Sequence, residues 1–516
     1  MKNFFLIISI LCLSYGAGQA QNHVLNDILQ AKTNGTGAII NDGIVTGYYA
    51  FYEFGKNGSN TSTYRLDIFD QNLGPLSKKT FSGTEGMIVR EATFNGEILA
   101  IKFEEYSPKG KKYSYKLFDR NAEMFKTTKK DAYSLDYKVG QAGEDGENMT
   151  LFPIPKIGFI NYSTANKKGQ SSQTRYIIDF IPQKEEQQSW TVSTKTTSEE
   201  YESATFLGTD GKILLSLNSK KSGSLSKDIN ETVIGIDLAT GKRLFENDIE
   251  DKKYAVAILD AVNDEETGNF VLMGNYFEKD AKTAKAKSLG ICAFTMDSTG
   301  KVLARKYVSW DKDIDKLMPK GKNGKSVDIK NLFFHKFVKT ADGRFFGIGE
   351  QYHASASGIG IVASFVSHST LSYVKIVVED LYIFEFDSDF SLKSLKIFDK
   401  PSRNVQMPAI TLFDSPRVLA MLMKVHGEFD YKFTQQSKDK SLFNVGYIDF
   451  EKTKEDKSSV FNSINYSDGK FTTDKLKLNS KATWYTVYPG KPGYVMISEY
   501  FEKAKKMEFR IEKVNF

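Results

Sequence analysis

The chain has 516 residues, 40% of them hydrophobic and 13% aromatic, and a net charge of +6. Because this length exceeds what one ordinary core supports, the sequence predicts several domains or one closed repeat. The charge is small for the length and singles out no class of partner, so no nucleic-acid partner is expected.

The first twenty residues have the pattern of an export signal. An apolar run from Phe4 to Leu13 follows a positive residue, and small residues precede a predicted cleavage after Ala20. This run and all later apolar runs are too short to span a bilayer as a helix. We therefore expect a signal peptide at 1–20 and an exported chain, periplasmic or extracellular, with one domain at 21–516. Only Cys292 follows the signal peptide, so no intrachain disulfide is expected.

Apolar strands separated by Asp-Gly, Asn-Gly and similar turns recur along the rest of the chain. These turns favour tight hairpins because their residues tolerate a positive φ. The predicted second strands of the successive units are 44–52, 98–103, 156–161, 213–217, 270–274, 345–349, 418–424 and 494–498. The predicted third strands are 64–70, 113–119, 175–181, 233–237, 289–296, 381–387, 443–450 and 509–516.

The clearest unit is 206–246, where four apolar strands are joined by turns and a Lys-rich hairpin. Four antiparallel strands in about fifty residues make one blade of a β-propeller. The sequence therefore predicts an all-β fold, a propeller of seven to eight four-stranded blades with eight favoured; two packed β-sandwiches are the alternative. The last unit ends after its third strand, and the segment from Val24 to Leu29 is predicted to supply the missing fourth strand.

Two turns carry a family resemblance. Asp237 to Gly241 and Asp297 to Gly300 resemble the turns between third and fourth strands in quinoprotein-type propellers. The chain as a whole resembles large exported propellers of uncharacterised function from Bacteroidota-type bacteria. The resemblance implies the propeller fold and no quinone. No cofactor is expected, because the basic loop from Gly321 to Ser326 lacks the leading strand and the spacing of a phosphate-binding loop.

Repeated acids are the most suitable candidates for catalysis. Glu104, Glu350 and Glu499 end equivalent strands, and such carboxylates could converge at the channel mouth of a glycan hydrolase or lyase. The alternative is a structural hydrogen bond to the neighbouring blade, which repetition favours. His335 and His353 could join a carboxylate in a zinc site, or be ordinary core or surface histidines. No catalytic residue and no metal site are predicted.

Lysines are concentrated in the hairpins between second and third strands, which emerge on one face of a propeller. Lys282, Lys285 and Lys287 in the fifth unit are the densest group. Together the hairpins predict a basic rim that binds an anionic glycan or an acidic protein surface. The alternative is that these lysines solvate long hairpins and protect strand edges.

The sixth unit replaces its Lys-rich hairpin with an almost uncharged segment, 354–378, predicted to form an extra hairpin turning near His368. It either folds over the channel mouth, or presents Phe365, Leu371 and Tyr373 as an apolar binding surface beside the lysines. The leading function is an exported, non-enzymatic, monomeric ligand- or protein-binding propeller. A glycan-active hydrolase or lyase is the alternative.

Overall fold

The computed structural model describes residues 21–41, 43–107, 110–130, 151–167, 170–193, 201–221, 230–249, 251–283, 286–320, 331–354, 373–408, 419–420, 423–424, 426–452 and 457–514. These residues form eight antiparallel sheets. Each sheet has four strands, and the sixth has a fifth strand in addition. In all but the last sheet, the first four strands follow in sequence order from the inner to the outer edge. The sheets are the blades of a propeller, which confirms the predicted all-β fold and the preference for eight blades. Its channel is surrounded by the first strand of each blade.

The first four blades follow one another in the chain after a separate strand, β1 (Asn22–Leu25). Their strands are, in blade one, β2 (Thr36–Asn41), β3 (Ile44–Lys56), β4 (Thr61–Asp70) and β5 (Pro75–Thr84); in blade two, β6 (Ile88–Phe94), β7 (Leu99–Ser107), β8 (Gly110–Phe118) and β9 (Met124–Lys130); in blade three, β10 (Leu151–Ile154), β11 (Gly158–Lys167), β12 (Gln170–Pro182) and β13 (Trp190–Ser193); and in blade four, β14 (Tyr201–Thr209), β15 (Ile213–Lys221), β16 (Asn230–Asp237) and β17 (Arg243–Asp248).

The other four blades follow in the same way. Their strands are, in blade five, β18 (Tyr254–Asp264), β19 (Asn269–Glu278), β20 (Gly290–Met296) and β21 (Val302–Ser309); in blade six, β22 (Asn331–Lys339), β23 (Phe345–Ala354), β24 (Tyr373–Phe386), β25 (Leu392–Phe398) and the additional β26 (Arg403–Pro408); in blade seven, β27 (Tyr431–Gln436), β28 (Phe443–Lys452), β29 (Lys457–Ser467) and β30 (Lys470–Leu478); and in blade eight, β31 (Trp484–Pro489), β32 (Tyr494–Phe501) and β33 (Lys506–Lys513). A 3-10 turn (Thr33–Gly35) and a π-helical turn (Trp310–Ile314) connect blades.

The N-terminal segment closes the ring. β1 pairs antiparallel with β33 and so supplies the fourth strand of blade eight. The chain then crosses to blade one, where the side chain of Ile28 is buried and Gln30 forms a β-bridge with Glu53. The predicted closure is therefore confirmed, although the paired strand is Asn22–Leu25 and the rest of the expected segment, up to Leu29, is the crossing.

Two strand assignments in the seventh unit are wrong. The sequence predicts 418–424 as the second strand of the seventh unit, but Leu419, Ala420 and Met423 are α-helical and buried. The second strand of blade seven is β28, which the sequence predicts as the third strand. A short apolar run fits a strand or a helix equally well, and here the helical spacing lets these side chains share one apolar cluster.

The core lies between adjacent blades. The apolar clusters between blades join side chains from facing sheets, as when Leu215 of blade four packs with Leu272 of blade five. Cys292 is a free thiol buried in that same cluster, and burial raises its pKa. Because the pleat sends alternate side chains to opposite faces, a blade buried on both sides has nearly continuous apolar strands. Among the described residues, no helix has both the length and the apolar character needed to cross a membrane.

The two faces of the ring differ. We call the face with the hairpins between second and third strands the top, and the opposite face the bottom. On the bottom, the turns after the first strands are bonded from blade to blade. Lys339 Nζ is 2.6 Å from Asp264 Oδ1, Gln436 Nε2 donates to Lys339 O at 2.7 Å, and Gln435 Nε2 donates to Gly490 O at 3.0 Å. Blades five to eight are thereby tied together at this face.

Blade six is extended at the top. β24 pairs along its outer side with two successive strands, first β26 at residues 373–378 and then β25 at residues 381–386. This extension has an apolar core of its own, which comprises Tyr352, Ile376, Val378, Val405, Met407, Leu419, Ala420, Met423 and Phe429. The sequence predicts an extra hairpin at 354–378. Its C-terminal part, from Tyr373 onward, belongs to β24 and pairs with β26.

Candidate functional site

The three repeated acids of the sequence are each paired with a base. Each carboxylate oxygen lies within about 3 Å of a cationic nitrogen, a separation typical of a charge-assisted hydrogen bond. The pairs are Glu104 Oε2 with Arg90 Nε at 2.7 Å, Glu350 Oε1 with Lys400 Nζ at 2.8 Å, and Glu499 Oε2 with Arg510 Nε at 3.0 Å.

Blades two and six hold their acids in equivalent places. Glu104 pairs in register with Ile88, and two residues farther along β6 the extra residue of a β-bulge is Arg90. On β22 the residue at the same offset is His335, whose Nε2 is 3.1 Å from Glu350 Oε2. A bulge turns its extra side chain away from the ladder pattern, which is how both bases reach their acids.

Lys400 completes the group in blade six. It lies in the short connection between β25 and β26, its backbone N–H donates to Asp380 Oδ1 at 3.1 Å, and its side chain is fully buried. The ammonium group lies 2.8 Å from Glu350 and 2.5 Å from Asp430. A lysine buried to this extent requires such partners, because an unpaired buried charge costs several kcal/mol.

The same group ties blade six to blade seven. Arg403 Nε donates to Asp430 Oδ1 at 2.6 Å, and its NH1 group is 3.3 Å from Glu428 Oε2. Glu350 accepts backbone hydrogen bonds from Asp430 and Tyr431 at 3.2 and 3.3 Å. For Glu350, the predicted structural hydrogen bond to the neighbouring blade is confirmed.

His335 is enclosed by aromatic rings. Its imidazole stacks on Tyr431, with centroids 4.3 Å apart and planes at 6°, and it meets Phe333 and Phe429 edge to face. Burial lowers the pKa of His335, although the Glu350 carboxylate favours the protonated imidazole and so acts in the opposite direction. The neutral ring therefore donates its Nε2–H to Glu350, because an ionised carboxylate can only accept.

These environments decide what the group can do chemically. Burial opposes ionisation of Glu350, but Lys400 and His335 outweigh it and hold its pKa well below the usual range. Burial likewise opposes the charge on Lys400, and Glu350 with Asp430 nevertheless raise its pKa. Glu350 is thus a permanent anion shielded from solvent, without the raised pKa of a general acid. The arrangement anchors the extension of blade six.

The second histidine has a separate partner. His353 Nδ1 lies 3.2 Å from Glu379 Oε2, and both side chains are partly exposed. In the part of the chain that the structure describes, no group of three or more His, Cys, Asp or Glu side chains could hold a metal ion. His335 is a buried core residue, and the two histidines belong to different pairs.

Much of the predicted apolar binding surface falls outside the described residues. Phe365, His368 and Leu371 belong to 355–372, so their predicted role stays a prediction. For Tyr373 the structure describes the backbone in β24.

The predicted basic rim is partly neutralised where it is described. Lys220 Nζ is 3.4 Å from Glu246, and Lys506 Nζ is 2.5 Å from Glu508. Lys282 and Lys287 lie in the connection between β19 and β20, with Lys285 outside the described residues. Ion pairs of this kind agree with the alternative that the lysines solvate their hairpins and protect strand edges.

Sequence reasoning missed three members of the group, Lys400, Arg403 and Asp430. One signal was available, since Pro401 interrupts the apolar pattern after β25 and a proline inside a strand marks a break or a bulge. Nothing in the sequence places a lysine from this break inside the protein, because its partners come from another strand and another blade.

A family and several solved structures are similar to the chain. The model of DUF6770, a family of unknown function, matches residues 1–515, so the chain belongs to this family. No curated protein is detectably similar to it.

Similar solved structures include prolyl oligopeptidase B from Galerina marginata, at 9% identity and a TM-score of 0.42 over 96% of this chain and 57% of that one. The chain thus spans little more than half of that enzyme. Synechocystis apocarotenoid oxygenase is similar at 10% identity and a TM-score of 0.34, covering 96% of this chain and 90% of that one. The β-propeller domain of the Trilobed protease from Pyrococcus furiosus is similar at 9% identity and a TM-score of 0.25, covering 84% and 96%.

Proposed function

We propose that this member of the DUF6770 family is an exported, non-enzymatic binding module whose ligand is a glycan or a protein. One observation carries the proposal. The three acids best placed by the repeat to act in glycan cleavage are all paired with bases, at 2.7, 2.8 and 3.0 Å. A general acid needs a raised pKa, and Glu350 has a lowered one. A rigid ring that displays loops and turns on two faces suits binding instead.

Affinity electrophoresis tests the proposal. The purified chain, residues 21–516, is run through native gels that contain heparin or one of several neutral polysaccharides, and a binding module is retarded by at least one of them. The same mixtures are then assayed for new reducing ends and for unsaturated sugar products. Retardation without products supports the proposal. Products that accumulate over many turnovers contradict it and favour the hydrolase or lyase.

A charge-reversal variant tests the basic rim in the heparin gel. Lys282→Glu combined with Lys287→Glu reduces retardation if the rim binds polyanions, and the effect weakens with added salt because each ionic contact is screened. Lys242→Glu, a change at an exposed lysine on the bottom face, is the matched control. If the rim variant and the parent are retarded equally, these lysines do not bind the polyanion and serve only to solvate their hairpins.

A further inference from the structure

A groove opens on the bottom face between blades three and four. Its volume is about 450 Å³, within the range of small-molecule sites. Phe180 and Leu238 form part of its apolar floor, and Gln188, Lys212 and Asp237 supply polar groups along its sides. All of these residues belong to turns or strand ends, which the sheets of two blades hold in place.

The groove exists because the bottom turns are not joined at this junction. Between blades two and three, Lys156 N–H donates to Asn95 O at 3.0 Å. Among the described residues, the corresponding first turns of blades three and four make no such hydrogen bond. The two blades are linked farther out, where Trp190 Nε1–H donates to Leu238 O at 2.9 Å and the indole stacks on Phe180, with centroids 5.6 Å apart.

The polar groups of the groove have hydrogen-bonding capacity left. Asp237 Oδ1 accepts from the backbone and the hydroxyl of Thr240, at 2.8 and 2.6 Å. Asp237 Oδ2, Lys212 Nζ and the Gln188 amide make no hydrogen bond within the described part of the chain. A ligand can therefore receive donors from Lys212 and Gln188 and acceptors from Asp237 and Gln188.

The charges of the groove indicate the class of ligand. One cation and one anion flank it, so an ionic ligand would gain from one of them and be repelled by the other. A neutral ligand with many hydroxyl groups can pair with every polar group and lay its C–H faces on the apolar floor. We propose that this groove binds a short neutral oligosaccharide segment, an inference that rests on the proposed binding function and assigns it a place and a ligand class.

Tryptophan emission tests the site directly, because Trp190 contacts both Phe180 and Leu238. Trp310→Phe and Trp484→Phe leave Trp190 as the single emitter, since the chain has three tryptophans. Titration with cellobiose, maltose and lactose is expected to give a saturable change with at least one of them. Digalacturonate, the charged counterpart, is expected to bind at least about tenfold more weakly.

Substitutions in the groove are expected to weaken disaccharide binding by different amounts. Lys212→Ala or Gln188→Ala is expected to weaken binding about tenfold, the effect of losing one or two hydrogen bonds. Ala239→Phe, at the exposed rim, is expected to block the groove and abolish the titration. Lys242→Ala is the matched control, because this exposed lysine belongs to the same turn region but does not line the groove.

Two results overturn the inference: no saturable change with any of the neutral disaccharides, or equal affinity in the parent and the Lys212→Ala variant. Its failure is distinguishable from failure of the proposed function. If Ala239→Phe and the parent are retarded equally in the polysaccharide gels, the chain is a binding module that binds elsewhere. Product formation in those gels removes the binding function itself.

Discussion

Blade two pairs Glu104 with Arg90, whereas blade six places His335 at the position equivalent to Arg90. The Arg90 guanidinium lies on the β-bulge of blade two and balances the negative charge of Glu104 from within the same blade. The imidazole carries none, since burial lowers its pKa. In blade six the charge that balances Glu350 comes instead from Lys400, outside the regular repeat.

An exchange at one repeat position thus accompanies a change in the architecture of blade six. Because a fully buried, uncompensated carboxylate costs several kcal/mol, a histidine in place of the arginine requires another cation nearby. The connection between β25 and β26 provides Lys400, and Arg403 at the start of β26 balances Asp430 in turn. The extended edge of blade six and its charged anchor therefore form one unit.

Removing Lys400 is the most severe way to break this unit. Lys400→Met keeps much of the side-chain volume but leaves Glu350 and Asp430 buried without the ammonium group. We expect the free energy of unfolding to fall by about 3–5 kcal/mol, as when one partner of a buried ion pair is removed. Urea denaturation followed by circular dichroism measures the loss.

Lys396→Met is the matched control, because Lys396 is exposed on the neighbouring β25. It is expected to change stability by less than about 0.5 kcal/mol. A Lys400→Met variant as stable as this control would contradict the role of Lys400 as the compensating charge.

Neutralising the two equivalent acids compares the blades directly. Glu350→Gln leaves Lys400 fully buried with Asp430 alone, and we expect a loss of about 2–3 kcal/mol from the removed ionic hydrogen bonds. Glu104→Gln removes the carboxylate that faces Arg90, whose guanidinium is partly exposed and can be hydrated, so its cost is expected to be about 1 kcal/mol.

The same denaturation experiment measures both variants. If the two variants lose the same free energy of unfolding, the greater burial of Lys400 compared with Arg90 does not change the cost of removing its acid.

Most of the fold was predictable because it depends on local patterns. Turns such as Asp210-Gly211 mark hairpins through their own backbone preferences, and Gly211 does adopt a positive φ of 85°. The missing fourth strand of the last unit also predicted closure by the N-terminal segment. The error at 418–424 arose where a short apolar run had no turn chemistry to separate strand from helix.

The site was predictable only in part. Repetition of acids at strand ends identified Glu104, Glu350 and Glu499 and favoured a structural role for them. Lys400 and Asp430 could not be found in this way, because their charges are matched through contacts across strands and blades. A charged residue has the same appearance in a sequence whether it is exposed or buried with a partner.

A pH titration sharpens the contrast between imidazole and guanidinium. The folded state lowers the pKa of His335 from its ordinary value of 6.5, so the unfolded chain takes up this proton first as the pH falls. The stability that the neutral His335 contributes is fully present above pH 6.5 and is lost as the pH falls below that value. The loss is at most about 1.4 kcal/mol per pH unit for one proton. His335→Gln should reduce the slope of unfolding free energy against pH between about pH 6.5 and 5, above the range where ordinary carboxylates titrate.

Glu104→Gln in blade two is the control for this titration, because it removes the acid of the corresponding pair and leaves a guanidinium that stays charged throughout the range. Its unfolding free energy should keep the slope of the parent. If His335→Gln also keeps that slope, the imidazole is not the titrating group.

The smallest expected effect is a rescue. In blade two, Arg90 on the bulge balances the charge of Glu104. If the bulge position of blade six is equivalent, an arginine there should balance Glu350 when Lys400 is absent. We expect His335→Arg to recover about 1 kcal/mol of the stability lost in Lys400→Met, the typical worth of one hydrogen bond to a charged group less the cost of fitting the larger side chain. In the parent background the same change should destabilise, because two cations would then share Glu350. This reversal of sign, measured as a double-mutant cycle by urea denaturation, separates charge compensation from better packing. A His335→Arg change that destabilises both backgrounds equally would show that the bulge positions of blades two and six are not interchangeable.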